Sequence, residues 1–199
     1  MAVPTREIAG CAAAHARVNA AITNLGEADA RRPSLLPGWT VGHVLTHLAR
    51  NAASVTRRLE GAARDEVVDQ YVGGFVGRAA DIDAGADRPA AALVADVRET
   101  SSAVDALCAR LGEDVWDRPT RTVAGDIQPA SAIVFSRWRE VEVHHVDLGL
   151  GYTPDCWPSE LVDAWLPRVL SKLGQRTDPN ALLAWTLGRG PAPDLDPWR

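Results

Sequence analysis

The chain has 199 residues with a formal net charge of -5, and its 21 basic residues are spread along it, which argues for one globular domain and against a nucleic-acid-binding surface. Its three cysteines, Cys11, Cys108 and Cys156, are odd in number and far apart, which indicates reduced thiols and no CxxC metal pair. Residues 1–30 lack a basic segment followed by an apolar run, and no stretch reaches about 18 apolar residues, so we expect a soluble, cytoplasmic protein without a membrane partner.

Helical periodicity predicts a first helix from Thr5 to about Arg31, with His15 on its apolar stripe as a buried histidine outside any site. Pro37-Gly38 predict a turn, and Thr40 is a natural N-cap for a second helix that extends to about Glu60. On this second helix a polar strip flanks the core stripe, which is typical of a cleft or of a bundle interior. The strip contains His43, His47 and Asn51. Two hydrogen-bonded histidines near a helix start would give the same pattern.

The rest of the chain predicts further helices and little β-structure. We expect the glycine-rich connection over residues 61–89 to contain a short helix. A connection of this length is either a lid or a mobile crossover. Irregular structure over 113–128 includes at most a short hairpin. The predicted helices are 89–111, 129–148, 159–173 and 179–187. We therefore expect an all-α bundle of four main helices over residues 1–152, with a short helical extension, 153–199, packed on it.

The second and fourth main helices together predict a metal site. Glu140 and His144 are four residues apart, so a helix presents their side chains on one strip. His47 on a facing helix would complete a set of two histidines and one carboxylate with an open coordination position, as catalytic zinc uses. Glu142 with His145 is the rival pair, and an isolated Glu/His pair on a helix is most often a solvated hydrogen bond.

Several motifs resemble the mycothiol-dependent maleylpyruvate isomerases, within the DinB-like metal-binding bundles. They are LPGWTVGHVLTHLARN over 36–51, PAS over 129–131, REVEVH over 139–144 and VDLG over 146–149. The resemblance implies a DinB-like four-helix bundle in which His47, Glu140 and His144 hold a divalent zinc. It also implicates the arginine of a C-terminal Gly-Arg-Gly, here Arg189, although the C-terminal region is shorter than in the full-length isomerases.

A two-His, one-Glu zinc site with an open position can bind a thiol and lower its pKa. Mycothiol would then add to a small electrophilic, carboxylated substrate and isomerise it from cis to trans. We expect Arg189, and more weakly Arg137, to hold a substrate carboxylate or enolate, although a surface salt bridge is the stronger interpretation of Arg137. Three roles agree with the position of His43: a residue that orients a metal ligand, a general acid, or a histidine of the core. Asp147 fits either a residue that orients a ligand histidine or a helix-end carboxylate.

Two other functions agree with the same residues. One is transfer of the thiol to electrophiles or xenobiotics, which would release a stable thioether. The other is a non-catalytic metal-binding stress protein, which would bind metal without turnover. Histidine and glutamate ligands suit several divalent ions as well as zinc, and the sequence is compatible with a monomer or a homodimer.

Overall fold

A computed structural model describes residues 2–196 and is mostly helical. The helices are α1 (Thr5–Ala21), α2 (Glu27–Arg31), α3 (Val41–Ala63), α4 (Gly74–Ala86), α5 (Ala90–Arg110), α6 (Ala130–Asp147), α7 (Ser159–Leu170) and α8 (Pro179–Thr186). Short 3₁₀ helices lie at Glu113–Asp117, Pro154–Cys156 and Leu173–Gln175. The strands β1 (Pro119–Arg121) and β2 (Ile127–Pro129) pair antiparallel, with Thr120 opposite Gln128. The predicted all-α fold is confirmed.

The chain divides into two compact units, Met1–Pro154 and Asp155–Arg199. In the first unit, α3 packs on α5 and α6, and α1 packs on the same two helices, so the four long helices close into a bundle. The shorter α4 packs on α3. The apolar stripe predicted on α3 lies in the interior: Val44, Leu48, Val55 and Leu59 are all buried.

The second unit contains α7, the 3₁₀ turn Leu173–Gln175 and α8. Asp178 caps α8 by accepting a hydrogen bond from the backbone N–H of Ala181 at 2.7 Å. The Arg176 side chain donates to the Asp196 carbonyl and Thr177 Oγ1 donates to the Asp194 carbonyl, which ties the following segment to this unit. Packing of this extension on the bundle stays a prediction.

Helix ends follow local chemistry. Proline immediately precedes α1, α5, α6 and α7, since its fixed φ suits a helix start and its missing N–H costs no hydrogen bond there. Thr40 caps α3 as predicted, because its side chain accepts from the backbone N–H of His43 while His43 Nδ1 accepts from the Thr40 N–H.

The predicted first helix is wrong in its extent, because α1 ends at Ala21 and α2 begins only at Glu27. Thr23 turns its hydroxyl back to the Asn19 carbonyl, which competes with helix continuation. Gly26 then starts α2, where its N–H donates to Asp29 Oδ2 at 3.0 Å. Among the described residues, no helix combines the length and the apolar character needed to cross a bilayer.

Candidate metal centre

Helices α3 and α6 bring His47, Glu140 and His144 together in the first unit. Nε2 of His47 lies 3.1 Å from Glu140 Oε2 and 3.0 Å from His144 Nε2. The third pair, His144 Nε2 and Glu140 Oε2, is 3.5 Å apart. Two ring nitrogens and a carboxylate oxygen from separate helices therefore meet at one point, and they form one of two clusters of potential metal ligands within the described residues.

The spacing of these three atoms fits a metal ion. Ligand atoms at about 2.0–2.2 Å from a zinc ion in tetrahedral geometry lie roughly 3.3–3.6 Å from one another. The observed separations of 3.0–3.5 Å are close to this range. The donor set, nitrogen with one carboxylate oxygen, suits zinc and several other divalent ions.

Asp147 orients one of these histidines. Its Oδ2 lies 2.8 Å from Nδ1 of His144, so the ring donates from Nδ1 and turns Nε2 towards His47 and Glu140. A carboxylate behind a ligand histidine is the usual arrangement at protein metal sites. The orienting interpretation of Asp147 therefore agrees with the geometry.

The electrostatics of the three residues follow from burial and hydrogen bonding. Burial lowers the pKa of His47 to about 4. Burial also disfavours the charged form of His144, but hydrogen bonds with Asp147 and Glu140 outweigh it and raise its pKa to about 8. Burial alone would raise the pKa of Glu140, yet hydrogen bonds with His144 and His47 hold it well below its usual value. Glu140 is therefore an anion at neutral pH, as a metal ligand must be.

Aromatic and cationic side chains surround His47. The Trp39 ring lies 5.8 Å from the His47 ring, centroid to centroid. On the other side, Nη2 of Arg78 donates to His47 Nδ1 at 3.1 Å. Arg78 belongs to α4, inside the glycine-rich connection, and was not among the predicted site residues. Its position in a segment that fits a lid was the available signal, but Arg64 and Arg88 lie in the same segment.

The rival pair, Glu142 and His145, occupies another part of the bundle. Glu142 is only 1% exposed and accepts hydrogen bonds from Arg17, Tyr152 and, at 3.2 Å, Trp138 Nε1. The His145 ring stacks on Tyr152, with centroids 3.9 Å apart. The two side chains anchor α1 and the segment after α6 to the bundle, and they are absent from both ligand clusters of the described residues.

Arg137 is not a surface residue. Its side chain is 1% exposed; Nε donates to His15 Nε2 at 3.0 Å, and Nη1 donates to the Leu48 carbonyl and to Asn51 Oδ1 at 2.9 Å each. The surface salt-bridge interpretation is therefore wrong, because the guanidinium is directed inwards to tie α6 to α3 and α1. A role of Arg137 in holding substrate stays a prediction.

The second cluster of potential ligands contains Cys11, His15 and Asp105. His15 donates from Nδ1 to Asp105 at 2.8 Å and accepts from Arg137 at Nε2, so both ring nitrogens are already engaged. Burial raises the pKa of the Cys11 thiol, which keeps it protonated. With the Arg137 cation in contact as well, this cluster is a hydrogen-bond network unsuited to a metal ion.

Two other predicted site residues, His43 and Arg189, do not belong to the ligand cluster. His43 caps α3, and its Nε2 is 3.9 Å from Asp83 Oδ1, so its general-acid role stays a prediction. Arg189 lies in the second unit, where it is exposed and its backbone N–H donates to the Ala184 carbonyl at 2.7 Å. Its contact with substrate stays a prediction too.

Comparison with known proteins identifies the family and the fold of this chain. The family model described as "Mycothiol maleylpyruvate isomerase N-terminal domain" matches residues 11–149. Two solved structures share the fold, those of a mycothiol-dependent maleylpyruvate isomerase and of its histidine-to-alanine mutant. Each has a TM-score of 0.81 and 24% identity, covering 86% of this chain and 71% of the solved chain. No curated protein matches. Since the family model spans more than half of the chain, the chain belongs to the mycothiol maleylpyruvate isomerase N-terminal domain family, a family of isomerase enzymes.

Proposed function

We propose that this protein is a metal- and mycothiol-dependent isomerase that acts on a small, electrophilic, carboxylated substrate of the maleylpyruvate type. The observation that carries the proposal is the convergence of His47, Glu140 and His144, with ligand atoms 3.0–3.5 Å apart and Asp147 behind His144. The family match supports mycothiol as the thiol.

In this proposal His47, Glu140 and His144 hold zinc or another divalent ion. A divalent ion in this place would supply an open coordination position where a thiol loses its proton near neutral pH. Three of the described residues would ligate the ion, so a four-coordinate ion would keep one coordination position for the sulfur of an external thiol.

The reaction itself needs a thiolate and a place for developing negative charge. The sulfur forms a bond to one carbon of the cis double bond, and the π electron pair moves onto the neighbouring carbonyl as an enolate. Rotation about the new single bond and loss of the thiolate restore the double bond in the trans form. The thiol is recovered unchanged, and cationic donors near the enolate oxygen lower the barrier.

One experiment separates the candidates. We would measure the metal content of the purified parent and of His47→Ala, Glu140→Ala and His144→Ala, and then assay maleylpyruvate with mycothiol. His145→Ala is the matched control, because it neighbours His144 but lies outside the ligand cluster. We expect one metal per chain and turnover in the parent and in His145→Ala, and loss of both in the other three.

The other outcomes are equally informative. A metal-free parent, or loss of metal in His145→Ala alone, would contradict the proposal. A stable thioether in place of the isomerised acid would indicate thiol transfer. Metal without turnover with mycothiol would indicate a non-catalytic protein.

A further inference from the structure

An arginine of α4, Arg78, lies beside the His47 ring on the edge opposite the one that faces Glu140. Arg78 contacts His47 Nδ1 at 3.1 Å, and its guanidinium carbon lies 5.9 Å from the centroid of the Tyr71 ring. Among residues 2–196, no carboxylate lies within ion-pair distance of Arg78. An arginine held by an imidazole and an aromatic face retains donors for an anion.

A second arginine, Arg58, also lacks a carboxylate partner among the described residues, and it is more deeply buried than Arg78. Arg58 is 3% exposed, and its Nε donates to the Ser54 carbonyl at the long distance of 3.4 Å. Within the described part of the chain it has no carboxylate in ion-pair contact, and burial lowers its pKa to about 10. Burying a charge without a partner is unfavourable, so an anion near Arg58 would relieve this cost.

The two arginines are linked through Tyr71. Tyr71 is 6% exposed, lies under Arg78, interacts electrostatically with Arg58 and accepts a long hydrogen bond from Asn51 Nδ2 at 3.5 Å. Asn51 is one turn beyond His47 on α3. Arg78, with Tyr71 beneath it, therefore lies at the Nδ1 edge of the His47 ring, whereas Glu140 lies at the Nε2 edge.

We propose that Arg78, with its guanidinium over the Tyr71 ring, forms the subsite that binds the carboxylate of the electrophilic substrate, and that the buried Arg58 adds a second positive charge to it. The inference rests on the proposed function and adds a residue to it. Guanidinium groups bind carboxylates through two parallel hydrogen bonds, which fixes the orientation of the substrate as well as its charge. Arg78 thereby becomes a specificity-determining residue for carboxylated substrates.

The test is calorimetric titration of the zinc-loaded protein with maleate, a cis-dicarboxylate, and with its uncharged dimethyl ester. Arg78→Gln is the principal variant, because Arg78 is half-buried and its removal leaves the bundle core intact. Arg98→Gln is the matched control, since Arg98 is also half-buried but donates to Thr23 and Asn19 on the α1 side. Arg58→Met tests the second cation.

We expect the parent and Arg98→Gln to bind maleate equally, and Arg78→Gln to bind it about tenfold or more weakly, as loss of a charged hydrogen bond requires. Arg58→Met is expected to lower the affinity for maleate as well. Binding of the dimethyl ester should not distinguish the parent from Arg78→Gln, and zinc content should be unchanged.

Equal maleate affinity in the parent and in Arg78→Gln would overturn the subsite while leaving the proposed function intact if metal and turnover persist. No maleate binding by the parent, or loss of zinc in Arg78→Gln, would overturn it as well. Weaker mycothiol binding with unchanged maleate binding would assign the cations to the thiol and reject the carboxylate role. Failure of the proposed function would appear separately, as a parent without metal or turnover.

Discussion

Asp147 Oδ2 lies 2.8 Å from Nδ1 of His144, on the ring nitrogen that does not face His47. This hydrogen bond fixes both the tautomer and the rotation of the ring, because only the Nδ1–H tautomer leaves Nε2 free as a ligand. His144 and Asp147 are three residues apart, which places them on adjacent turns of α6. A helix can therefore present a ligand and its orienting carboxylate together.

Removing this carboxylate should weaken metal binding without abolishing it. We expect Asp147→Ala to lower zinc affinity about 10–100-fold, the usual effect of losing the hydrogen-bond partner of a ligand histidine. Asp147→Asn should lose less, because the amide oxygen can still accept from Nδ1–H. Competition with a chromophoric chelator measures both affinities, and equal affinities in Asp147→Ala and the parent would show that Asp147 does not orient His144.

Arg137 should be important for stability. It donates to His15, to the Leu48 carbonyl and to Asn51, all inside the bundle. Its removal leaves a cavity and takes a buried donor from His15 and Asn51, so we expect Arg137→Ala to lower the free energy of unfolding by about 3–5 kcal/mol. Urea denaturation measures the change. Arg139→Ala, two residues along the same helix and half-buried, is the control, with an expected loss of about 1 kcal/mol or less.

The close approach of α3 and α4 depends on glycine at position 42. A Cβ atom built on Gly42 would lie 2.2 Å from the Ala86 carbonyl oxygen, which is backbone and cannot rotate away. We expect Gly42→Ala to cost about 1–3 kcal/mol of stability as α4 is displaced. At Gly174 a Cβ meets nothing within 4 Å, so Gly174→Ala should change thermal stability little. Similar melting temperatures for the two variants would contradict this account.

His15 should make the protein sensitive to mild acid. Burial lowers its pKa, Asp105 partly offsets this, and the Arg137 charge lowers it further, so the folded protein keeps the ring neutral. The unfolded chain takes up the proton near the ordinary pKa of about 6.5. Stability from this residue is therefore complete above about pH 6.5 and is lost as the pH falls below it.

His15→Gln tests this dependence, since the amide oxygen can still accept from Arg137. We expect the variant to be less stable than the parent at pH 7.5, but to lose less of its free energy of unfolding between pH 7.5 and 5.5. Urea denaturation at the two pH values measures both quantities. Parallel losses in parent and variant would show that His15 does not contribute to the acid sensitivity.

Much of the fold was predictable because apolar residues recur with clear helical periodicity and because residues typical of helix starts precede several of the helices. Thr40 and the prolines mark helix starts in the sequence, and the spacing of Glu140 and His144 is visible without any structure. The break after Ala21 was missed, because Thr23 competes for the backbone only through a hydrogen bond that the apolar pattern does not reveal. Periodicity predicts which face of a helix is buried, but it carries little information about where the helix ends.

The surroundings of the site were harder to predict for a different reason. Arg78 contacts His47 from a separate short helix, and Arg137 is directed inwards through partners on α1 and α3. Both arrangements depend on which helices become neighbours in space. A basic residue has the same appearance in a sequence whether it lies on the surface or beside a buried histidine, so tertiary packing alone distinguishes the two.

The most direct test of the metal centre is an anomalous difference map from crystals of the zinc-loaded protein, recorded at the zinc absorption edge. We predict one peak about 2.0–2.2 Å from His47 Nε2, Glu140 Oε2 and His144 Nε2. A map without a peak at these three atoms, or with its peak between Cys11, His15 and Asp105, would contradict the central claim.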